Sequence, residues 1–296
     1  MTEATAALAI HPSAVVAPGV HLGEGVRIAA FCHVETGALL GPGVVLQSGV
    51  RIGEDAVVGA GCHVGPGAVV GARVALGEDC VIGANAVLLG PSRLGKRCRV
   101  HAFAVVGDEP QDRSWHGEES RLEVGDDVVV REHVTLHRGT AKGGGVTRVG
   151  SRCLLMVGVH VAHDCVVGDD VQLANLTTLG GHVVLGDHVV CGGHVAFAPF
   201  VRVGRGAYLA GGAMVERDVP PFMITAGDRA RVRAPNRIGL ERLGLSEESQ
   251  RALVDTFRLT YGSGAPLVQG IAKARALYGS DPHVQELLAF IEPAGD

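Results

Sequence analysis

The stretch IAAFCHVETGALLGPGVVL, residues 28–46, sets a large aliphatic at every sixth position: Ile28, Val34, Leu40 and Leu46. Working outward, the beat holds without exception from Ile10 to Val106 and resumes in phase at Val124, Val130 and Leu136. It slips one residue across Gly143-Gly144-Gly145, then runs from Val149 to Val215, with Cys191 and Phe197 standing in for aliphatics. A helix repeats at 3.6 residues and a strand at 2, so a period of six belongs to neither alone. It predicts a mainly β fold, a left-handed parallel β-helix of hexapeptide repeats in which short strands and turns alternate around a prism. Three units make one triangular coil, so residues 18 apart should lie above one another. With strands about 4.8 Å apart, roughly ten coils would extend on the order of 50 Å.

Composition agrees with a narrow core. Apolar residues make up 47% of the chain but aromatics only 4%, and 44 glycines supply the positive φ that tight corners demand. A net charge of −5 and a pI near 6.3 offer no broad basic field, which argues against nucleic acid as a partner. No apolar run approaches membrane-spanning length, and Met1-Thr2-Glu3 does not open an export signal. A cytoplasmic protein without stable membrane insertion is expected. Of seven cysteines, six (Cys32, Cys62, Cys80, Cys98, Cys153, Cys165) fall on position five of the repeat, where Ala, Val or Ser stand elsewhere. They read as small buried hydrophobes, and no CxxC suggests a zinc knuckle.

The expected organisation is an N-terminal tail over 1–9, the repeat over 10–220, and a connector with a C-terminal α-helical domain over 221–296. Two insertions interrupt the prism, near 107–120 and near 140–147. The first carries the only Trp, and long loops in a strict repeat are more often functional than decorative. Pro220-Pro221 is expected to close the repeat, with a basic connector over Ala226–Asn236. Ser246 ahead of Glu247-Glu248, then Pro266, then Asp281-Pro282, mark three helix starts. Prisms of this kind usually bury their flat faces by trimer packing.

Among fourteen histidines the 18-residue lattice selects one group. His163 and Asp164 occupy a corner just after His160; Asp164 should stack beneath His182, and His163 beneath Gly181. A histidine, a carboxylate, a second histidine and a glycine amide thus meet at one edge. That is the inventory for general-base attack of a hydroxyl on an acyl group: a base, an orienting acid and a donor for the oxyanion. Corners of such prisms carry polar residues by default, and His33, His63, His101 and His188 read as solvated positions of that kind.

The segment Leu154-Leu155-Met156-Val157-Gly158-Val159-His160-Val161-Ala162-His163-Asp164-Cys165 resembles the acyl-carrier-protein–UDP-N-acetylglucosamine O-acyltransferase family (LpxA). So do Gln111-Asp112, His137-Arg138-Gly139-Thr140, Leu179-Gly180-Gly181-His182 and Asp218-Val219-Pro220-Pro221. The likeness runs from about Arg99 to the C-terminus. It implies an acyl-ACP-dependent O-acyltransferase moving a 3-hydroxyacyl chain from acyl carrier protein to the 3-hydroxyl of UDP-N-acetylglucosamine, the first step of lipid A biosynthesis. It implies a homotrimer with sites between subunits, and neither metal nor cofactor. His163 would be the general base, Asp164 its orienting acid and Gly181 the oxyanion donor. His160 and His182 would hold the reacting groups, Gln111 and Asp112 the sugar, Asn236 the uridine. Arg242 stands in a family pair of arginines, and Gly211 falls where acyl length is set.

Departures from the family pattern are Ser114 for a lysine, Ala198-Pro199 for a His-Gln pair, Ile238 for an acidic residue and Leu243 for an arginine, with Arg237 new. They leave open a related nucleotide sugar, such as a 3-amino analogue. A γ-type carbonic anhydrase with three zinc-binding histidines, and a silent trimerising scaffold, are the readings from other classes.

Overall fold

The computed structural model describes residues 9–292, and within them the chain winds into a left-handed parallel β-helix followed by a helical region. Three sheets of 13, 11 and 10 strands form the first, second and third faces of the prism. Strands are mostly two residues long and pair in parallel at the expected spacing of 18, as in His33↔Arg51, Val69↔Val87 and His160↔Thr178. The two insertions stretch that spacing but keep the faces in order: Ser92 pairs with Leu122, and Arg121 with Val146.

Two of every six side chains point inward. The aliphatic at position one and the small residue at position five are both sequestered, as Ile52, Val64, Ala68 and Val70 show by being wholly buried. The hydrophobic transfer of these rows, about 25 cal/mol per Å² of apolar surface, drives the winding. All seven cysteines are free and buried. The Cys62 thiol donates to the Gly77 carbonyl and the Cys165 thiol to that of Gly180, at 3.1 and 3.2 Å. Burial pushes the Cys165 thiol up to about 12, so it sits as an inert hydrophobe.

Most corners hold one residue in the left-handed region, and this chain often fills it with Asp, Asn or His, the non-glycine types that tolerate it best. Asp164 (φ 61°) and His182 (φ 63°) hold that same corner position on successive coils of the edge between the second and third faces.

Three boundaries differ from the sequence reading. The prism begins at Ala9, which pairs with Arg27, so the expected tail loses its last residue; the rest of it, 1–8, lies outside the described residues. Pro220-Pro221 does not end the first face. Met223–Ala226 adds a further parallel strand, and the stretch expected as a basic connector returns antiparallel as Arg231–Pro235. Alternating side chains on both arms and the positive φ of Gly227 and Arg229 make this a hairpin. Finally, a short helix α1 (Arg237–Arg242) precedes the three expected ones.

Those three are α2 (Glu247–Phe257), α3 (Leu267–Tyr278) and α4 (Pro282–Ile291). Ser246 caps α2 through its hydroxyl, and Asp281 caps α4 by accepting from the amides of His283 and Val284. Phe222, Leu240, Leu253, Ala274 and Leu287 form their shared core. Arg205 of the prism meets Glu286 of α4 at 2.7 Å and lies 4.9 Å over the Phe222 ring, joining the two regions.

Candidate active site

The edge between the second and third faces gathers the chemistry. Its corners at 162–165, 180–183 and 198–201 stack directly, because the His182 amide donates to the His163 carbonyl and the Phe200 amide to that of Gly181, both at 3.0 Å. Inward anchors Cys165, Val183 and Val201 leave His163, Asp164 and His182 facing out of the core. His163 Nδ1 lies 2.8 Å from Asp164 Oδ2, and His182 Nε2 lies 3.6 Å from the same oxygen. The two imidazoles meet at right angles with centroids 5.3 Å apart, and Phe200 stacks on His182 at 4.4 Å.

Asp164 is held from the other side by the second insertion. The Thr140 amide donates to Oδ1 and the Thr140 hydroxyl to Oδ2, each at 2.7 Å, while the Asp164 amide donates to Thr147 Oγ1 at 2.8 Å. A Cβ on Gly143 would sit 2.1 Å from the Asp164 carboxyl carbon, so this loop presses on the carboxylate with no side chain to spare. Only 1% of the Asp164 side chain is exposed. Two bonds from Thr140 fix the carboxylate, which leaves Oδ2 placed to accept from His163 Nδ1 and orient the imidazole.

Gly181 closes the arrangement. A Cβ there would fall 2.6 Å from His163 Cε1 and 2.8 Å from Nε2, so the ring packs where only glycine leaves room. Among the described residues the Gly181 amide has no backbone acceptor, unlike its neighbours Gly180 and His182. Gly181→Ala should therefore displace the imidazole and lower kcat by about tenfold or more, since an ångström of misplacement can cost about a hundredfold. Steady-state kinetics beside a melting curve would separate this from unfolding; unchanged kcat would contradict the geometry.

His160 opens a strand of the second face, with Nδ1 2.8 Å from Thr135 Oγ1 and its ring 5.2 Å from that of His137. Burial, reinforced by the charges of His137 and His163, lowers its pKa, so it is a neutral imidazole at pH 7. Asp112, on the first insertion, is held below the usual carboxylate range by the Ser114 amide and hydroxyl, with smaller help from the charges of His163 and Lys142. Gln111 beside it is exposed.

The structure thus brings together His160, His163, Asp164, Gly181 and His182, while Gln111 and Asp112 stand on the first insertion, with Asp112 close enough to feel the charge of His163. It does not bring the other three sequence-selected residues to this edge of the same chain. Asn236 is the N-cap of α1, its amide donating to the Gly206 carbonyl and accepting from the Gly239 amide. With Arg242, Ile238, His188 and Tyr208 it lines a cleft of about 570 Å³ against the first face. Gly211 sits on the edge between the first and second faces, exposed, with space for a Cβ 3.4 Å from the Gly193 carbonyl oxygen. Sequence reasoning missed Thr140, Thr147 and the buried His137. His137 and Thr140 stood only in a stretch that carries the family resemblance, and Thr147 only at the end of the glycine-rich insertion, with no role attached to any of them.

Among the described residues, donor atoms of His163, Asp164 and His182 form a three-residue group within 4.8 Å, close enough to share an ion. Each Asp164 oxygen already accepts from Thr140, and Oδ2 also from His163, which suits a hydrogen-bonded dyad better than a ligand set.

Fold and site together define a hexapeptide-repeat protein equipped for acyl transfer. The family model described as "Udp N-acetylglucosamine O-acyltransferase; Domain 2" matches residues 218–295, and hexapeptide-repeat models match 32–66, 55–90 and 73–108. The chain is 40% identical over 206 residues to the acyl-[acyl-carrier-protein]–UDP-N-acetylglucosamine O-acyltransferase of Synechocystis sp., covering 70% of this chain and 74% of that one. It is 42% identical over 208 residues to the same-named protein of Syntrophobacter fumaroxidans, covering 70% and 81%. Solved structures agree. UDP-N-acetylglucosamine acyltransferase from Campylobacter jejuni superposes with a TM-score of 0.70 at 32% identity, over 95% of each chain. LpxA from Bacteroides fragilis superposes at 0.73 and 30% identity, over 95% and 96%. This chain belongs to the UDP-N-acetylglucosamine O-acyltransferase (LpxA) family.

Proposed function

We propose that the chain transfers a 3-hydroxyacyl group from the thioester of acyl carrier protein to the 3-hydroxyl of UDP-N-acetylglucosamine, opening lipid A biosynthesis. The observation that carries this is the His163–Asp164 pair lying against Gly181. Asp164 accepts the Nδ1 proton of His163, which leaves Nε2 as the acceptor. Nε2 removes the proton of the sugar hydroxyl as its oxygen attacks the thioester carbonyl. The Gly181 amide donates to the oxyanion of the tetrahedral intermediate. Collapse breaks the carbon–sulfur bond, and the departing thiolate takes the proton back from His163. His160, neutral at pH 7, and His182, aligned by Phe200, hold the sugar and the acyl donor; Gln111 and Asp112 approach the sugar.

We assign the remaining parts to a homotrimer in the cytoplasm. Val166 and Val184 on the third face, with Leu39 and Val57, are large apolar side chains left facing outward, and a neighbouring copy would cover them. The same packing would carry one subunit's Asn236–Arg242 cleft and Gly211 edge toward another's histidines. No helix of the described residues is long and apolar enough to cross a membrane.

Mass spectrometry of products from mixed acyl carrier proteins and UDP-sugars tests the reading. An ester-linked acyl group on UDP-N-acetylglucosamine is expected; an amide, or another sugar, would overturn it. With Gly211→Met the preferred chain should shorten, each lost methylene contact removing about 0.8 kcal/mol. An unchanged product profile would remove Gly211 from the acyl path.

A further inference from the structure

The stretch His137-Arg138-Gly139-Thr140 reaches in two directions at once. Thr140 grips Asp164, whereas His137 and Arg138 grip the first insertion. His137 is only 5% exposed, with Nδ1 2.6 Å from the carbonyl oxygen of Glu109, the residue that opens that loop. A carbonyl oxygen only accepts, so His137 Nδ1 carries the proton. The Arg138 amide donates to the Asp108 carbonyl at 2.9 Å, and its guanidinium donates to the Gly90 carbonyl at 3.0 Å. That guanidinium lies 5.8 Å over the ring of Trp115, the only tryptophan, in the middle of the loop.

The other bonds within the loop are local. The Ser114 amide donates to Asp112, the Trp115 indole to the Glu118 carbonyl, and the His116 amide to the Glu118 carboxylate. A loop tied only to itself would pay conformational entropy each time it was placed over the site. Its fastening to the prism comes from His137 at its base and Arg138 at its centre.

We infer that His137 and Arg138 are positioning residues, which fix the loop bearing Gln111 and Asp112 over the His163–Asp164 pair. Four consecutive residues then couple the sugar-contacting loop to the carboxylate behind the base. The inference rests on the acyl-transfer reading for its kinetic consequence, but not for its structural one.

Trp115 reports the loop directly in the full-length protein. In both His137→Phe and Arg138→Met, Trp115 emission should shift red and acrylamide should quench it more strongly, while far-ultraviolet circular dichroism stays constant. A loosened loop weakens ground and transition states alike, so KM for UDP-N-acetylglucosamine should rise about tenfold while kcat changes by less than about threefold. His137→Asn, which restores an N–H donor, should recover most of both effects. Unchanged quenching in both variants, or a kcat loss at constant KM, would overturn the inference. Should His137→Phe fail to fold, Arg138→Met carries the same test. Should the wild-type chain transfer nothing to this sugar, the functional reading falls while Trp115 quenching still decides the anchoring.

Discussion

His163→Ala should lower kcat by about 10²- to 10⁴-fold, the range a general base contributes, with KM for the nucleotide sugar changed far less. His163 lies outside the buried rows that wind the prism, so deleting its ring leaves Ala162, Cys165 and the 18-residue pairing of His160 with Thr178 untouched. Only the acceptor at Nε2 is lost, and none of the neighbours can replace it: His182 turns its own Nε2 toward Asp164, and His160 holds Thr135. Single-turnover acyl transfer beside a melting curve checks the point. A folded variant working at near wild-type rate would show that another group takes the proton.

Asp164→Asn should cost about as much, on the order of 10³- to 10⁴-fold in kcat, by the tautomer argument that holds for carboxylate–histidine pairs generally. Asp164 Oδ1 faces the Thr140 amide, a donor that cannot reverse, so the asparagine oxygen must take that place. The new NH₂ then falls where Oδ2 stood, facing the Thr140 hydroxyl and His163 Nδ1. The hydroxyl can turn to accept. His163 can accept only by moving its proton to Nε2, which removes the base from the reacting face. Nitrogen-15 spectra of the His163 ring would register the change as protonation passing from Nδ1 to Nε2. A variant with the Nδ1–H tautomer retained and full activity would contradict the assignment. Stability should fall by about 1–3 kcal/mol, the usual cost of misdirecting one buried donor.

How far the sequence could be read depended on where its lattice held. Gly181 over His163 and His182 over Asp164 were legible by adding 18, because identical coils turn sequence distance into position. The same arithmetic explained why cysteines recur at one inward position. It failed wherever the beat was interrupted. Thr140 and Thr147 meet Asp164 through an insertion whose path no repeat dictates, so their grip on the carboxylate could not be read from spacing. His137 carried no role in the sequence reading, because its burial comes from its contact with the first insertion at Glu109. Pro220-Pro221 suggested an ending, but the chain beyond keeps strand alternation and turns back as a hairpin at Gly227. Helix α1 is six residues long, too short for a 3.6-residue pattern to declare itself. Asn236 was selected for a nucleotide by resemblance, and its second task as a helix cap had no repeat to announce it.

The account turns on one arrangement, an imidazole backed by a buried carboxylate and facing the sugar hydroxyl beside a glycine amide. A crystal structure with the acylated nucleotide sugar bound tests it most directly. The esterified sugar oxygen should lie within hydrogen-bond reach of His163 Nε2, about 2.6–3.2 Å, with the acyl carbonyl oxygen pointing at the Gly181 amide. A sugar seated away from that edge, with His163 facing solvent, would contradict it.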